Sequence, residues 1–217
     1  MTLEEHGAAH LPGAAAPFLS ALETALARLP ADRAGIRLHG LAGLADLLGP
    51  DSLGSCAAQL LPGALPVRAI LFDKSEGANW ALGWHQDRTI AVKARADVPG
   101  FGPWSVKAGM VHVEPPFALI ERMLTIRVHL DPVPAGNAPL LIAPGSHRLG
   151  RIPEHAIDAA AARCGSRACL AGRGDVWVYA TSILHASAAA EQPRARRVLQ
   201  VDFSDEALPA PLAWLGV

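Results

Sequence analysis

Met123-Leu124-Thr125-Ile126-Arg127-Val128-His129-Leu130 alternates strictly between two kinds of side chain. Successive residues of a strand point to opposite sides, so Leu124, Ile126, Val128 and Leu130 share one face. Met123, Thr125, Arg127 and His129 share the other. Such a strand packs one face in a sandwich core while the other meets water or lines a cavity. Working outward, further short strands are expected at 67–72, 89–93, 110–114, 175–180, 183–187 and 196–203. Upstream the period changes. Phe18, Leu22, Ala25, Leu26 and Leu29 recur at helical spacing within 14–29, and Pro30 stops that helix. A second short helix at 41–48 ends at Gly49-Pro50, and Pro153 opens a third through about residue 163. Many strands with one inserted helix predict an all-β core with flanking helices, arranged as a double-sheet jelly roll.

The chain has 217 residues, which favours a single domain over 1–217. Residues 1–64 are expected to form a mainly helical N-terminal cover, and 65–205 the catalytic core. Formal net charge is -1 and the arginines are scattered, so no nucleic-acid footprint is expected. No apolar run approaches the roughly 18 residues of a membrane span. The N-terminus lacks a basic region leading into an apolar stretch, which argues against a secretory signal. Cys56, Cys164 and Cys169 are odd in number and contain no C-x-x-C pair. They suit a reducing, cytoplasmic setting better than a disulfide scaffold.

The chemistry concentrates in Trp84-His85-Gln86-Asp87 and, far downstream, Leu184-His185-Ala186-Ser187. A histidine and a carboxylate two apart on a strand project from the same face and can reach one metal ion. A second histidine from a distant strand completes a two-His, one-carboxylate facial triad, which leaves coordination positions open as non-haem Fe(II) oxygenases require. The same ligands could hold Mn, Ni, Co or Zn. Of the rival histidines, His6 and His10 fall in an expected mobile leader and His39 lies near a glycine turn. His112 and His129 alternate with apolar residues in strands, and His147 sits in a turn. Arg194, Arg196 and Arg197 follow His185 closely. A buried guanidinium grips a dicarboxylate bidentately, but neighbours on a strand face opposite ways, so at least one of the three is solvated.

In ordered series, Trp84-His-Gln-Asp87, Leu130-Asp-Pro132, Pro139-Leu-Leu-Ile-Ala-Pro-Gly-Ser-His-Arg148, Gly174-Asp175, Leu184-His-Ala-Ser187 and Arg196-Arg197 resemble the phytanoyl-CoA dioxygenase family of Fe(II)/2-oxoglutarate-dependent oxygenases. The resemblance covers about residues 65–205. It implies a double-stranded β-helix of cupin-like build, with iron held by His85, Asp87 and His185. The family arginine lies eleven residues beyond the second histidine, which lands on Arg196. Gln86 and Ser187 fall where the family contacts its co-substrate. One departure is visible: Asn137-Ala138-Pro139-Leu140 stands where the family often has Asn-Gly before Pro-Leu.

The resemblance further implies that 2-oxoglutarate and dioxygen are consumed to give succinate and carbon dioxide while a small organic substrate loses a hydrogen. Trp80, Trp84, Trp104 and Trp177 are candidate pocket walls, and Arg127, on the polar strand face, is a candidate for an acidic or amide-bearing substrate. Lys74 and Lys93 are candidates for an anion near the mouth. Two alternatives stand beside the dioxygenase: a cupin-like metal-dependent isomerase or hydrolase, and a non-catalytic jelly-roll binding protein.

Overall fold

The computed structural model describes residues 1–30, 33, 35–74, 77 and 79–217. Its strands are β1 (Ala8–Leu11), β2 (Ile36–Leu38), β3 (Leu65–Lys74), β4 (Leu82–His85), β5 (Ile90–Val92), β6 (Trp104–Lys107), β7 (Met110–Val113), β8 (Leu124–His129), β9 (Leu140–Ile142), β10 (Arg167–Cys169), β11 (Val176–Ala180), β12 (His185–Ser187) and β13 (Arg196–Ser204). They form three antiparallel sheets. The largest runs β1-β11-β8-β13-β3-β2, the second β10-β9-β12-β4, and the smallest β5-β7-β6. Between them lie short helices: α1 (Leu3–His6), α2 (Leu19–Leu26), α3 (Leu44–Leu47), α4 (Ser55–Ala58), α5 (Phe117–Glu121) and α6 (Ile157–Cys164).

The apolar face of β8 packs outward, under the N-terminal helices. Ile126, Val128 and Leu130 join Leu71, Val178, Leu199 and Phe203 of neighbouring strands against Leu22 and Leu26 of α2, Leu44 of α3, and Leu48, Leu53 and Ala57. The sandwich interior therefore receives the other face. Thr125, Arg127 and His129 are buried there, beside Arg68 and Lys74 from β3 and Arg196, Gln200 and Asp202 from β13. Alternation separates the two faces of this sheet correctly, but the helices take the apolar one, and the inter-sheet side combines this polar group with an apolar cluster of Trp177, Tyr179, Leu140 and Ile142.

Residues 1–64 are also less purely helical than expected. They supply both edge strands of the large sheet: β1 pairs with β11 and β2 with β3. His10 is consequently no part of a mobile leader. It faces Trp177 in register, its ring stacks on that indole at 4.8 Å, and its Nε2 lies 2.9 Å from an Asp175 oxygen. The expected helix at 14–29 is divided into a 3-10 turn at Ala16–Phe18, with Pro17 in its first turn, and then α2.

Among the described residues no helix is long and apolar enough to cross a membrane. The three cysteines are unpaired.

Candidate functional site

Strand pairing brings the two distant histidine motifs together. β12 lies antiparallel to β4 with His185 opposite His85, and the ring centroids are 4.2 Å apart. Each ring is oriented by its own backbone. His85 Nδ1–H donates to the Gly83 carbonyl (2.8 Å), and His185 Nδ1–H donates to the Ile183 carbonyl (2.9 Å). A carbonyl only accepts, so each Nδ1 carries a proton and Nε2 is the ring nitrogen left to face a metal. Burial, reinforced by neighbouring His85, pushes His185 down to about 4, so its imidazole is neutral at pH 7.

Asp87 opens into the same cavity as the two rings. Its Oδ2 is buried without a hydrogen bond and lies 3.3 Å from Arg68 Nη2. Burial alone would raise this carboxyl, but Arg68, with His185 and His85 opposite, outweighs it and holds Asp87 at about 2. As arranged, among the described residues, no three His, Cys, Asp or Glu side chains converge as a metal cluster, and the Asp87 carboxylate sits against Arg68. The donor set still fits a divalent cation chemically: two imidazoles whose Nδ1 atoms are tied to backbone carbonyls, leaving Nε2 as the ligand atom, and an ionised carboxylate with a buried oxygen lacking a hydrogen bond.

The cavity has a volume of about 320 Å³, and its floor is the polar face of the large sheet. At one end, Arg196 of β13 pairs in register with Lys74 of β3. Arg196 is 2% exposed, yet no carboxylate pairs with it among the described residues. One Nη donates to the Ala138 carbonyl, while Nε is buried without a partner. Burial, with added repulsion from Arg127, pushes this guanidinium down to about 9. Arg127 donates to Gln200 Oε1 (2.9 Å) and lies over the Phe72 ring at 5.1 Å. A buried cation without a counter-ion is costly in an isolated protein and is a natural receptor for an anion.

Residues 57–198 match the family model described as phytanoyl-CoA dioxygenase (PhyH). The chain belongs to this family. No curated protein matches it in sequence. Among solved structures it is similar to EctD from S. alaskensis with bound Fe, at 21% identity and TM-score 0.67, over 96% of this chain and 77% of that one. It is also similar to the non-heme alpha ketoglutarate dependent epimerase SnoN from nogalamycin biosynthesis, at 16% identity and TM-score 0.63, over 94% and 80%. AviO1 from Streptomyces viridochromogenes Tue57 matches at 22% identity and TM-score 0.60, over 95% and 93%. These likenesses show a related fold of β-sheets and helices.

In this phytanoyl-CoA dioxygenase family member, the remaining candidates divide by strand alternation. His85 faces the cavity, so Trp84 and Gln86, its neighbours, face away from it. The Gln86 amide donates to the Gly150 and Ser182 carbonyls and accepts from the Ile152 N–H, which ties β4 to two loops. It clamps this region in place and, with Trp84 and His85, lines a separate cleft beside α6 rather than the cavity shared by His85, Asp87 and His185. Trp84 packs with Ala143, Ile152 and Ile157 beneath α6. Trp104 packs beside Ile90 and Val113 in the smallest sheet, with Arg95 over its ring at 5.6 Å. Trp177 is taken by His10 and the Leu170 carbonyl. Trp80, Arg127 and Ser187 do line the cavity. Lys74 lines it too, its Nζ donating to the Trp80 carbonyl, Ser187 Oγ and the Ala188 carbonyl, whereas Lys93 is exposed. Arg197 takes the opposite face from Arg196 and pairs with Asp131 (2.9 Å).

Sequence reasoning passed over Arg37, Arg68, Thr89 and Lys107, all of which line the cavity. For Arg68 a signal existed: it alternates with Ile70, Phe72 and Lys74 on one face of a strand whose other face is apolar. Its Nε donates to Asp202 at 2.5 Å, and Asp202 accepts from Thr125 at 3.0 Å.

Two expected outcomes follow from the buried surroundings of Arg196. Ala138, whose carbonyl receives Arg196, has φ 49°, in the left-handed region that favours glycine. Ala138→Gly is expected to stabilise the protein by about 0.5–1 kcal/mol, or a few degrees in Tm by thermal unfolding. A lowered Tm would contradict the assignment of strain.

His129 is buried with neither ring nitrogen hydrogen-bonded, and burial, with Arg127 and Arg196 adding repulsion, pushes it down to about 3. A histidine depressed in the folded state resists protons that the unfolded chain accepts. Stability should therefore fall as pH drops below the unfolded value near 6.5, continuing toward 3, by about 1.4 kcal/mol per unit for this group. Urea midpoints measured from pH 7 to 5 should show this slope, and His129→Leu should make it shallower by about one proton.

Proposed function

We propose that this chain is an Fe(II)- and 2-oxoglutarate-dependent dioxygenase that hydroxylates a small organic substrate within a jelly-roll core of the double-stranded β-helix type. The observation that carries the reading is one cavity holding His85, Asp87 and His185 together with the buried, uncompensated Arg196. Family membership supports it, as do the similar solved structures whose titles name bound Fe and alpha ketoglutarate dependence. The unpaired cysteines fit a cytoplasmic setting.

His85, Asp87 and His185 would hold the metal, which when bound supplies the activation of dioxygen and the oxidising power for both organic reactants. The protein's own part is placement. Arg196 binds the carboxylate of 2-oxoglutarate remote from the metal, and Ser187 Oγ, oriented by Lys74, is placed to hydrogen-bond to the same molecule. Trp80, Phe72 and Leu140 provide apolar wall that orients the substrate and excludes water. Arg68 holds the carboxylate of Asp87 ionised, so that no proton competes for its oxygens.

Arg196→Gln tests the assignment of the co-substrate end. Losing a bidentate, charge-assisted contact should weaken 2-oxoglutarate by about 10–100-fold, at roughly 1.4 kcal/mol per tenfold. Calorimetric titration of the iron-loaded, oxygen-free protein reads it. An unchanged affinity would place 2-oxoglutarate elsewhere.

A further inference from the structure

The other end of the cavity is also cationic, and nothing so far accounts for it. Arg37 on edge strand β2 is in register with Ile70 on β3, and Arg37 and Ile70 both line the cavity. Lys107 enters from β6 of the smallest sheet, its Nζ donating to Thr89 Oγ1 (3.3 Å), while Arg68 donates to the Thr89 carbonyl (3.2 Å). Arg37 Nε is buried with no hydrogen-bond partner among the described residues. The nearby carboxylates, Asp87 and Asp202, both face Arg68. No ion pair reaches Arg37 or Lys107 among the described residues. Burial, then repulsion from Arg68, lowers Arg37, and burial, then Arg37 and Arg68, lowers Lys107; Asp87 offsets this only in part at each. Three cations are thus gathered at one site whose two carboxylates pair directly with Arg68 alone, a cost that an arriving anion would reduce.

This end is separate from the Arg196 end. Ile70 and Lys74, the register partners of Arg37 and Arg196, are four residues apart on β3, about 13 Å at the rise of a strand. Arg37 and Arg196 also sit on opposite flanks of β3, since the sheet order is β13-β3-β2. The two arginines therefore enter the cavity from different places on the sheet. Between them the wall is apolar, with Ile70 and Phe72 on β3.

We propose that Arg37 and Lys107 form an anion subsite for the organic substrate, which carries a carboxylate or phosphate group on an apolar body. The identification of this ligand as the substrate rests on the dioxygenase reading; the subsite itself does not. The anionic group docks between Arg37 and Lys107, with Thr89 fixing the lysine, and the apolar body lies along Ile70 and Phe72. The part of the molecule to be oxidised then faces His85, Asp87 and His185.

Isothermal titration of the metal-free protein with benzoate, phenyl phosphate and the neutral benzyl alcohol tests the subsite without iron chemistry. At least one anion should bind, and at least tenfold more tightly than benzyl alcohol; which anion wins distinguishes a carboxylate from a phosphate substrate. R37Q/K107Q should weaken that anion at least tenfold, and R196Q by less than threefold. K107Q alone, on a half-buried strand residue, should cost at least threefold and keeps the test available if the double variant does not fold. Equal binding of benzyl alcohol, no binding of either anion, or a loss produced by R196Q and not by R37Q/K107Q would overturn the proposal. Because iron is absent, a failed dioxygenase reading would leave this binding in place, and a failed subsite would leave the iron and 2-oxoglutarate behaviour untouched.

Discussion

Replacing His185 by alanine is expected to abolish Fe(II)-dependent conversion of 2-oxoglutarate to succinate while the chain still folds. His185 is the only one of the three proposed ligands that comes from β12, and its Nδ1–H bond to Ile183 fixes the ring beside that of His85. Removing it leaves one imidazole and one carboxylate, too few to hold a facial site. The loss should exceed the roughly 10–100-fold that follows removal of a group merely supporting a ligand. Iron content after anaerobic loading and succinate release, both measured on protein with wild-type circular dichroism, check the prediction. Succinate formation within threefold of wild type would place the metal elsewhere.

Arg68→Met is expected to be the most damaging single change to stability near the site. The Arg68 side chain is 8% exposed and carries two carboxylates, Asp202 at 2.5 Å and Asp87 at 3.3 Å. Burial alone would lower its pKa, but the two carboxylates outweigh that and hold it firmly protonated. Breaking a buried pair by deleting one partner leaves uncompensated charge and costs about 3–5 kcal/mol. The pH dependence gives the loss a signature. Asp87 is depressed in the folded protein, so its pairing contributes fully above the unfolded value near 3.8 and is lost as pH falls toward 2. The gap between wild type and variant should therefore be wide at pH 7 and narrow below about pH 4. Urea unfolding of the metal-free proteins at both pH values reads it, and Arg68→Lys should recover part of the difference. A gap independent of pH would point to lost packing rather than lost charge.

The strand faces were legible in the sequence, but their surroundings were not. Alternation in 123–130 separates Leu124, Ile126 and Val128 from Thr125, Arg127 and His129, and the structure keeps that separation. Which face receives the helices depends on contacts with residues 19–57, far away in sequence, and no local pattern carries that information. The site shows the same division. The two-residue spacing of His85 and Asp87 places both in the cavity, and the alternation of Arg196 with Arg197 places one arginine inside and one outside. The same rule read one step further turns Trp84 and Gln86 away from this cavity, toward a cleft beside α6. β1 and β2, with four and three residues, are too short to register as strands and exist because β11 and β3 accept them at the two edges of the large sheet. Arg37 and Lys107 were invisible for a related reason: each belongs to a short strand of a different sheet, and only the closed fold brings them to one cavity.

A cavity that binds iron and 2-oxoglutarate together has a spectroscopic signature of its own. Its most direct test is to add Fe(II) and then 2-oxoglutarate to the folded protein without oxygen and to record the visible absorption spectrum. A weak charge-transfer band that needs both additions, and that is lost in His185→Ala, is the expected result. A folded, iron-loaded protein that shows no band on addition of 2-oxoglutarate, and makes no succinate once oxygen is admitted, would contradict the account.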